Sequence, residues 1–562
     1  MSWPWEIYAL DAAEKEARRR SLDRHAAAAQ LSALVPVAAV ALYRLGSWLA
    51  RRLSSSSPQG AEYLAVPNSP ALKQRRRSVA GSWAGAPRRA AWWLGDDAVL
   101  LGVRWGPRDQ ILAGVGWAVW LVFLCVVGTG KDYLHLTKRF GIVALSQLPM
   151  QYLLALKSVN PIAFALGSSH EQVNRWHRVL GWIIYLLLFA HACLYLNFYV
   201  HEGILAERLV RLVPALGLAG FLGMSLMNTT ALRVIRQYSY RIFFITHLAV
   251  AMLLPPAIFF HSHHGGRQYV VEALLFFLID LVKRKVDTIT APATLELIPG
   301  TSLIKIVTNI PPKKLDRFRK HAGMHVYLSI PAAARRSAPV AYLLFEFAFN
   351  PFTIASMDEE SGDLTLVARR QKGPMTKTLA QFAADGLSGI KVPLSIEGPY
   401  GCASHFPNLA GPEFDRVLLV AGGVGMILNE SPVARVQMVW SVRGAGDATW
   451  PVSGTAGSIL DDENIHLFLT GDIFADPDVV ASSNNEDDAI ELSSNIRNGP
   501  GLSSRRPDLR KIVDDLFRLG VEDRVAVLVC GPDEMARELR SYIGFWVRKG
   551  RNVWWHNESF AW

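Results

Sequence analysis

The sequence predicts a multi-pass α-helical membrane domain of about seven helices, then an antiparallel β-barrel, then an α/β domain with a parallel sheet. Three observations carry this reading. The chain has 562 residues and is 51% apolar, and its long apolar runs crowd into the first half. Beyond residue 286 the helical period gives way to alternation in TLELIPGTSLIKIV, MHVYLSI and DLTLVAR, short strands punctuated by Gly, Pro and Asp. Further on, RVLLVAGGVG, VQMVWSVR, IHLFLTGD and VAVLVCGP are continuous apolar strands ending in turn residues, as in a buried parallel sheet.

Candidate spans fall at 31–50, 111–129, 140–157, 175–199, 208–227, 240–261 and 268–283, the first interrupted by Arg44. The opening MSWPWEIYALDAAEKEARRR has no apolar core of the kind a cleavable signal requires. Lys and Arg accumulate on cytoplasmic loops. Arg51, Arg52, Lys73, Arg75, Arg76, Arg77, Arg88 and Arg89 therefore place the stretch after the first span in the cytosol, and the amino terminus outside. Lys283, Arg284 and Lys285 place the remainder inside by the same rule. The apolar spans make a lipid bilayer the expected partner, and no nucleic acid is expected for this chain of net charge +11. The Ser-, Pro- and Arg-rich stretch 53–90 suits an arm on anionic lipid or a segment without a partner. A second low-complexity stretch, 480–506, is expected to be a solvated insertion. Cys125, Cys193, Cys402 and Cys530 show neither metal-site nor disulfide spacing.

Two histidine pairs, His177 with His191 and His247 with His261, sit fourteen residues apart inside apolar spans. Fourteen helical residues rise roughly 21 Å and close almost a whole number of turns, so both members of a pair face one way near opposite sides of a membrane. Ionisable groups inside a bilayer are costly and mark function. Two such helices face to face offer two stacked imidazole pairs, His177 with His247 inside and His191 with His261 outside, as two bis-histidine b-type haems need. His263 and His264 read as part of a solvated loop.

In the second half, NPFTIAS at 350–356, ARRQKGPMTKTL from 368, EGPYG at 397–401, VAGGVG at 420–425, CGP at 530–532 and ESFAW at 558–562 follow in order. Pro351 and Phe352 fix an extended backbone and Thr353 supplies a hydroxyl. Arg370, with Arg369 beside it, offers a guanidinium suited to phosphate, and Gly373 and Thr376 open a turn that presents backbone N–H groups. Gly422, Gly423 and Gly425 permit a tight turn at a strand end where a dinucleotide approaches.

With these motifs the chain resembles a fungal ferric-chelate reductase of the ferric reductase and NADPH oxidase superfamily, over about residues 111–562. After the N-terminal span and basic linker at 1–110, the resemblance implies a haem-binding transmembrane domain at 111–286 and a ferredoxin-reductase-like module. That module comprises an FAD-binding β-barrel domain at 287–403 and an NAD(P)-binding α/β domain at 404–562. It assigns FAD to Pro351, Phe352, Thr353, Arg370, Gly373, Thr376 and Gly398. NADPH falls to Gly422, Gly423, Gly425, Gly531 and Pro532, with Arg443 suited to the 2′-phosphate. Phe560, with Trp562 as runner-up, takes the place of the aromatic that stacks on the flavin, and Cys530 lies at the reacting strand end. The implied activity carries electrons from cytosolic NADPH through FAD and two haems to extracellular ferric or cupric chelates at the plasma membrane, serving a high-affinity iron permease. A superoxide-generating NADPH oxidase and a non-catalytic scaffold are the alternatives. Short outer loops at 200–207 and 262–267 favour a metal chelate over dioxygen. Three departures stand out: Asn350 replaces the usual histidine, Ala561 replaces a common glycine, and GGVGMILNESPVARVQMVW leaves little room for a helix after Gly425.

Overall fold

A computed structural model describes residues 5–54, 85–262, 264–298, 301–318, 324–334, 350–358, 360–371, 373–385, 391–401, 403–409, 411, 413–423, 436–443, 448, 464–470, 502–503, 506–518, 520 and 523–558. They belong to two compact units, one built from the first helix with residues 94–286, the other from residue 287 onward with residues 85–93.

The membrane unit opens with α1 (Ala12–Ser54), which starts earlier than the expected 31–50. Residues 12–30 contain no Gly or Pro and are rich in Ala, Glu and Arg, so helical propensity carries the helix outward. Ala26, Ala29 and Ala33 are buried. Their small side chains let α1 approach α4 (Tyr133–Ser146) closely. Before α4 lie α2 (Gly85–Gly95), an antiparallel hairpin of β1 (Asp97–Leu100) with β2 (Val103–Pro107), and α3 (Arg108–Val126). Next come α5 (Leu148–Leu153), α6 (His170–His201), α7 (Leu212–Thr230), α8 (Tyr240–His261) and α9 (Arg267–Asp287).

Five of these, α1, α3, α6, α7 and α8, are long and apolar enough to cross a membrane. The expected span 140–157 is divided yet kept: α4 ends before Gln147 and Pro149 starts the short α5, and the two in succession run from the level of His191, which meets Thr137, to that of His177, which meets Gln151. The expected span 268–283 is helical as α9, but its polar residues turn inward. Asp280 is buried and accepts hydrogen bonds from the N–H groups of Ser158 at 2.7 Å and Val159 at 2.9 Å, while Glu272 bonds Gln30.

In the second unit, six strands close an antiparallel barrel: β3 (Ile289–Leu297), β4 (Leu303–Asn309), β5 (His325–Ser329), β6 (Asn350–Met357), β7 (Asp363–Arg369) and β8 (Val392–Tyr400). The order around it is β3-β4-β7-β6-β5-β8. Alternation decides which side chains point in. Leu364, Leu366 and Ala368 of β7 join Ile304 and Ile306 of β4 in the core, and α10 (Pro374–Asp385) packs on β3 with Leu379 buried.

A six-stranded parallel sheet follows, with β9 (Arg416–Gly422), β10 (Val436–Val442), β11 (Ile465–Leu469), β12 (Leu502–Ser503), β13 (Arg524–Cys530) and β14 (Asn552–Glu558) in the order β12-β11-β10-β9-β13-β14. The chain moves one way from β9 and later returns to its other side as β13. The β9–β13 border is therefore a topological switch point, where crevices open at strand carboxyl ends. The helices α11 (Leu509–Arg518) and α12 (Asp533–Arg548) cover one face, burying Val513, Phe517, Leu539 and Ile543.

Helix α2 lies against this same α/β domain. Trp92 is buried, meets Trp555 of β14 edge-on at 6.0 Å, and lies under the Arg540 guanidinium at 4.3 Å. Arg540 also donates to the Trp92 carbonyl at 3.0 Å. A Cβ on Gly544 would stand 2.8 Å from the Trp92 indole nitrogen, so only glycine admits this ring. Nothing in the basic composition of 51–108 announces this contact.

Candidate functional site

The histidine pairs meet across α6 and α8. His177 and His247 have ring centroids 6.1 Å apart, and His191 and His261 stand 6.3 Å apart. Imidazole nitrogens bind a first-row metal at about 2 Å, so two rings on opposite sides of one iron have centroids roughly 6 Å apart. Three rings are already oriented by their other nitrogen. His177 Nδ1 meets the Gln151 carbonyl at 3.0 Å, His191 Nδ1 the Thr137 carbonyl at 2.8 Å and His261 Nδ1 the Val213 carbonyl at 2.8 Å. Each bond sets the tautomer that leaves Nε2 as the ligand atom, as metal-binding imidazoles require. His247 Nδ1 is buried with no hydrogen-bond partner among the described residues.

Glycines shape the outer pair. A Cβ on Gly141 would lie 2.7 Å from the His191 ring, and one on Gly217 would come closer still to His261. His191 and His261 fit a bis-histidine haem in spacing, tautomer and clearance, and His177 and His247 fit it in spacing, with the Gln151 amide nitrogen 3.4 Å from His177 Nε2. Among the described residues no group of three or more His, Cys, Asp or Glu could hold a bare metal ion. His263 lies outside the described residues.

The barrel brings the flavin candidates to two places. Pro351, Phe352 and Thr353 lie on β6, paired with Tyr327, Val326 and His325 of β5, and all three are partly exposed. Asn350 begins the same strand. Arg370 follows β7, its N–H bonded to the Ser302 carbonyl at 2.8 Å, and Gly373 stands immediately before α10. Thr376 Oγ1 accepts the Gln371 N–H at 3.0 Å, which closes the turn between the arginine and the helix. A Cβ on Gly373 would touch nothing within 4 Å, so the start of α10 is open to a phosphate, with Arg370 nearby in the chain. Gly398, at φ 132°, lies near the end of β8, two residues before Tyr400, in a conformation that favours glycine. These residues fit an FAD whose pyrophosphate sits at a helix start.

The nicotinamide candidates gather at the switch point. Ala421 of β9 pairs with Cys530 of β13, so Gly422 and Gly531 leave neighbouring strand ends side by side. A Cβ on Gly422 would stand 2.8 Å from Pro532 Cδ, and one on Gly531 would stand 3.2 Å from the Gly422 Cα. Only two glycines permit such backbone contact. Gly423 has φ 79°, and its carbonyl accepts from the Trp440 indole at 2.8 Å. Arg443 is exposed just past β10, at the same end of the sheet. The bare glycine backbone at these two strand ends is compatible with a dinucleotide approaching the switch point.

Burial pushes the Cys530 thiol up to about 12, with the Glu558 charge beside it adding to the effect. It stays protonated at physiological pH. Gly425, Phe560 and Trp562 lie outside the described residues, as does the short segment after Gly425. Sequence reading passed over His556, whose Nε2 meets the Glu558 carboxylate at 2.8 Å between Phe406 and Trp554. Its only signal was a polar residue at an inward position of WWHNE.

Geometry and topology thus define a membrane-embedded oxidoreductase with flavin-binding and nicotinamide-binding domains. Three families match in the corresponding order: "Ferric reductase like transmembrane component" over residues 140–258, "FAD-binding domain" over 290–404 and "Ferric reductase NAD binding domain" over 414–543. Domain by domain, the chain is thus similar to ferric reductases. A probable metalloreductase AIM14 of Scheffersomyces stipitis is 20% identical, covering 85% of this chain and 90% of its own. The ferric/cupric reductase transmembrane component 2 of Saccharomyces cerevisiae is 24% identical over 52% of this chain, which spans 39% of that longer protein. Its Schizosaccharomyces pombe namesake is 22% identical, covering 75% of this chain and 80% of its own. Among solved structures, a ferredoxin NADP+ reductase from Neisseria gonorrhoeae covers 48% of this chain and 98% of its own at 13% identity and a TM-score of 0.30.

Proposed function

We propose that this chain is an NADPH-dependent ferric-chelate reductase of the plasma membrane, passing electrons through FAD and two b-type haems to ferric or cupric chelates outside. The observation that carries it is the paired histidines at 6.1 and 6.3 Å, with three of four Nδ1 atoms anchored on backbone carbonyls. When bound, FAD splits a hydride into single electrons, which is what haem iron accepts.

The chain's own residues hold and orient. The glycine contact at Gly422 and Gly531 admits the dinucleotide, and Arg443 offers charge to a 2′-phosphate. Arg370 and the start of α10 would hold the flavin pyrophosphate, while Pro351, Phe352 and Thr353 would present a rigid edge to its ring. His177, His191, His247 and His261 would hold the two haems through their imidazole nitrogens, and the apolar flanks of α6 and α8 exclude water.

Sidedness has support from α2, which follows the first span and docks on the α/β domain through Trp92 and Arg540. That linker and the nicotinamide site therefore share one side of the membrane. An even number of crossings must separate them, and NADPH fixes that side as cytosolic. The connections between α6 and α7 and between α8 and α9 are short, residues 202–211 and 262–266. An open outer surface favours a chelate as acceptor. The test is to express the chain, record its haem absorption and add NADPH with and without ferric citrate. Absorption of bis-histidine haem, reduced by NADPH and reoxidised by ferric citrate, is expected. A chain without haem absorption would refute it.

A further inference from the structure

Just ahead of α3 the chain makes a two-stranded sheet of its own, β1 with β2, which the electron path above does not use. Leu100 pairs with Val103, so Leu101 and Gly102 form the tip. Both have positive φ, 52° and 74°. A two-residue turn with that backbone ordinarily takes Asn-Gly or Asp-Gly, because only glycine and short polar residues adopt the left-handed conformation readily. Leucine is strained there, and positions held in strain tend to be functional.

The hairpin is also apolar where one facing water would be polar. Leu101 is 94% exposed and Trp105 66%, and Val99, Leu100 and Val103 are each more than half exposed. A contiguous apolar patch of this kind marks an interaction surface. A lone two-stranded hairpin is at best marginally stable in water. These side chains therefore need cover beyond what the described residues supply.

What covers them follows from where the hairpin is rooted. β2 ends at Pro107 and α3, long and apolar enough to cross a membrane, starts at the next residue. At the base the Arg108 N–H donates to the Asp96 carbonyl at 3.0 Å, and Asp109 pairs with Arg175 of α6 at 3.0 Å. The Arg175 guanidinium lies 4.8 Å from the Trp176 ring centroid. Charges and a tryptophan at the entry of two spans mark the headgroup level. Further along α3, Leu112, Val115 and Val119 turn exposed apolar side chains to the same bilayer. Strands of this length reach roughly 15 Å from the base, enough to pass from headgroups to acyl chains.

We propose that the β1–β2 hairpin is a membrane wedge that dips into the cytosolic leaflet beside α3. Leu100, Leu101 and Val103 lie among the acyl chains, and Trp105 and the exposed Arg104 stay at the headgroups. The partner is the phospholipid of the bilayer that α3 crosses. The wedge depends on that crossing and not on the redox activity; the sidedness proposed above decides only which leaflet it enters.

The test uses the full chain in phosphatidylcholine nanodiscs carrying a trace of phospholipid with a diazirine in its acyl chain. Lipid adducts are mapped by peptide mass spectrometry, and a parallel sample is footprinted with hydroxyl radicals. Adducts between Leu100 and Val103, with Leu101 and Trp105 protected from oxidation, are expected. Leu101→Asn preserves the turn, since asparagine suits its backbone, and should lower tip adducts at least about threefold while raising oxidation of Trp105. Adducts at Val115 and Val119 report the span itself. If those appear while the tip is freely oxidised and carries no lipid, the wedge is refuted and the span stands. If neither appears, α3 does not cross the membrane and the wedge falls with it. Protection of the tip without lipid adducts would mean that protein covers it, which also overturns the proposal.

Discussion

Replacing Gly141 by alanine is the sharpest probe of the outer histidine pair. The added methyl would stand 2.7 Å from both Cε1 and Nδ1 of His191 and 3.2 Å from Nε2. Apolar contacts settle near 3.5 Å, so about 0.8 Å must be recovered by movement of the ring or of α4. The ring is not free to give, because its Nδ1 is held by the Thr137 carbonyl at 2.8 Å and its edge meets Tyr195. A shift of 0.8 Å is about four times the tolerance of roughly 0.2 Å on a metal–ligand distance. Gly141→Ala should therefore lower haem content from two per chain toward one, with overpacking costing about 1–3 kcal/mol in stability. Gly223→Ala is the matched control, since its Cβ would meet Val250 at an ordinary 3.5 Å. The assay is haem per polypeptide by pyridine haemochrome, with a reduced-minus-oxidised spectrum on the same sample. Full haem content and an unshifted spectrum in Gly141→Ala would show that the His191 ring is not a ligand in the position described.

His191→Ala and His261→Ala should each remove the outer haem while leaving inner-haem absorption, and the residual spectrum decides this. Trp92→Ala should destabilise the α/β domain by about 3–5 kcal/mol, as for other buried Trp truncations; thermal unfolding and limited proteolysis of the linker read it out. Because burial lifts the Cys530 thiol from 9.0 to about 12, its contribution to stability is fully present below pH 9 and is lost as pH rises toward 12. Iodoacetamide should accordingly leave Cys530 unmodified in folded protein at pH 8, as mass spectrometry of the peptide would show. A tag at residue 1 should be reachable on intact cells and one after Trp562 only after permeabilisation; a carboxyl-terminal tag exposed outside would contradict the electron path.

Much of this protein was readable from its residues alone, because the signals involved are local or periodic. The fourteen-residue histidine interval depends only on helical rise, so it marks the pairs without knowledge of packing. Alternation in DLTLVAR and the continuous apolar runs of RVLLVAG and VAVLVC report burial on one face or two, which is enough to separate a barrel from a parallel sheet. Partner choice is different, since it joins residues far apart in the chain. Which carbonyl orients each imidazole, and that Gly141 and Gly217 make room for the outer rings, follow from how helices cross. The division of 140–157 at Gln147 and the inward turn of Asp280 likewise depend on polar partners that hydropathy does not count. Trp92 shows the limit most clearly. Its segment reads as a basic, low-complexity linker, yet the ring docks because Gly544, Arg540 and Trp555 leave a fitted place for it, and tertiary structure alone brings those three together.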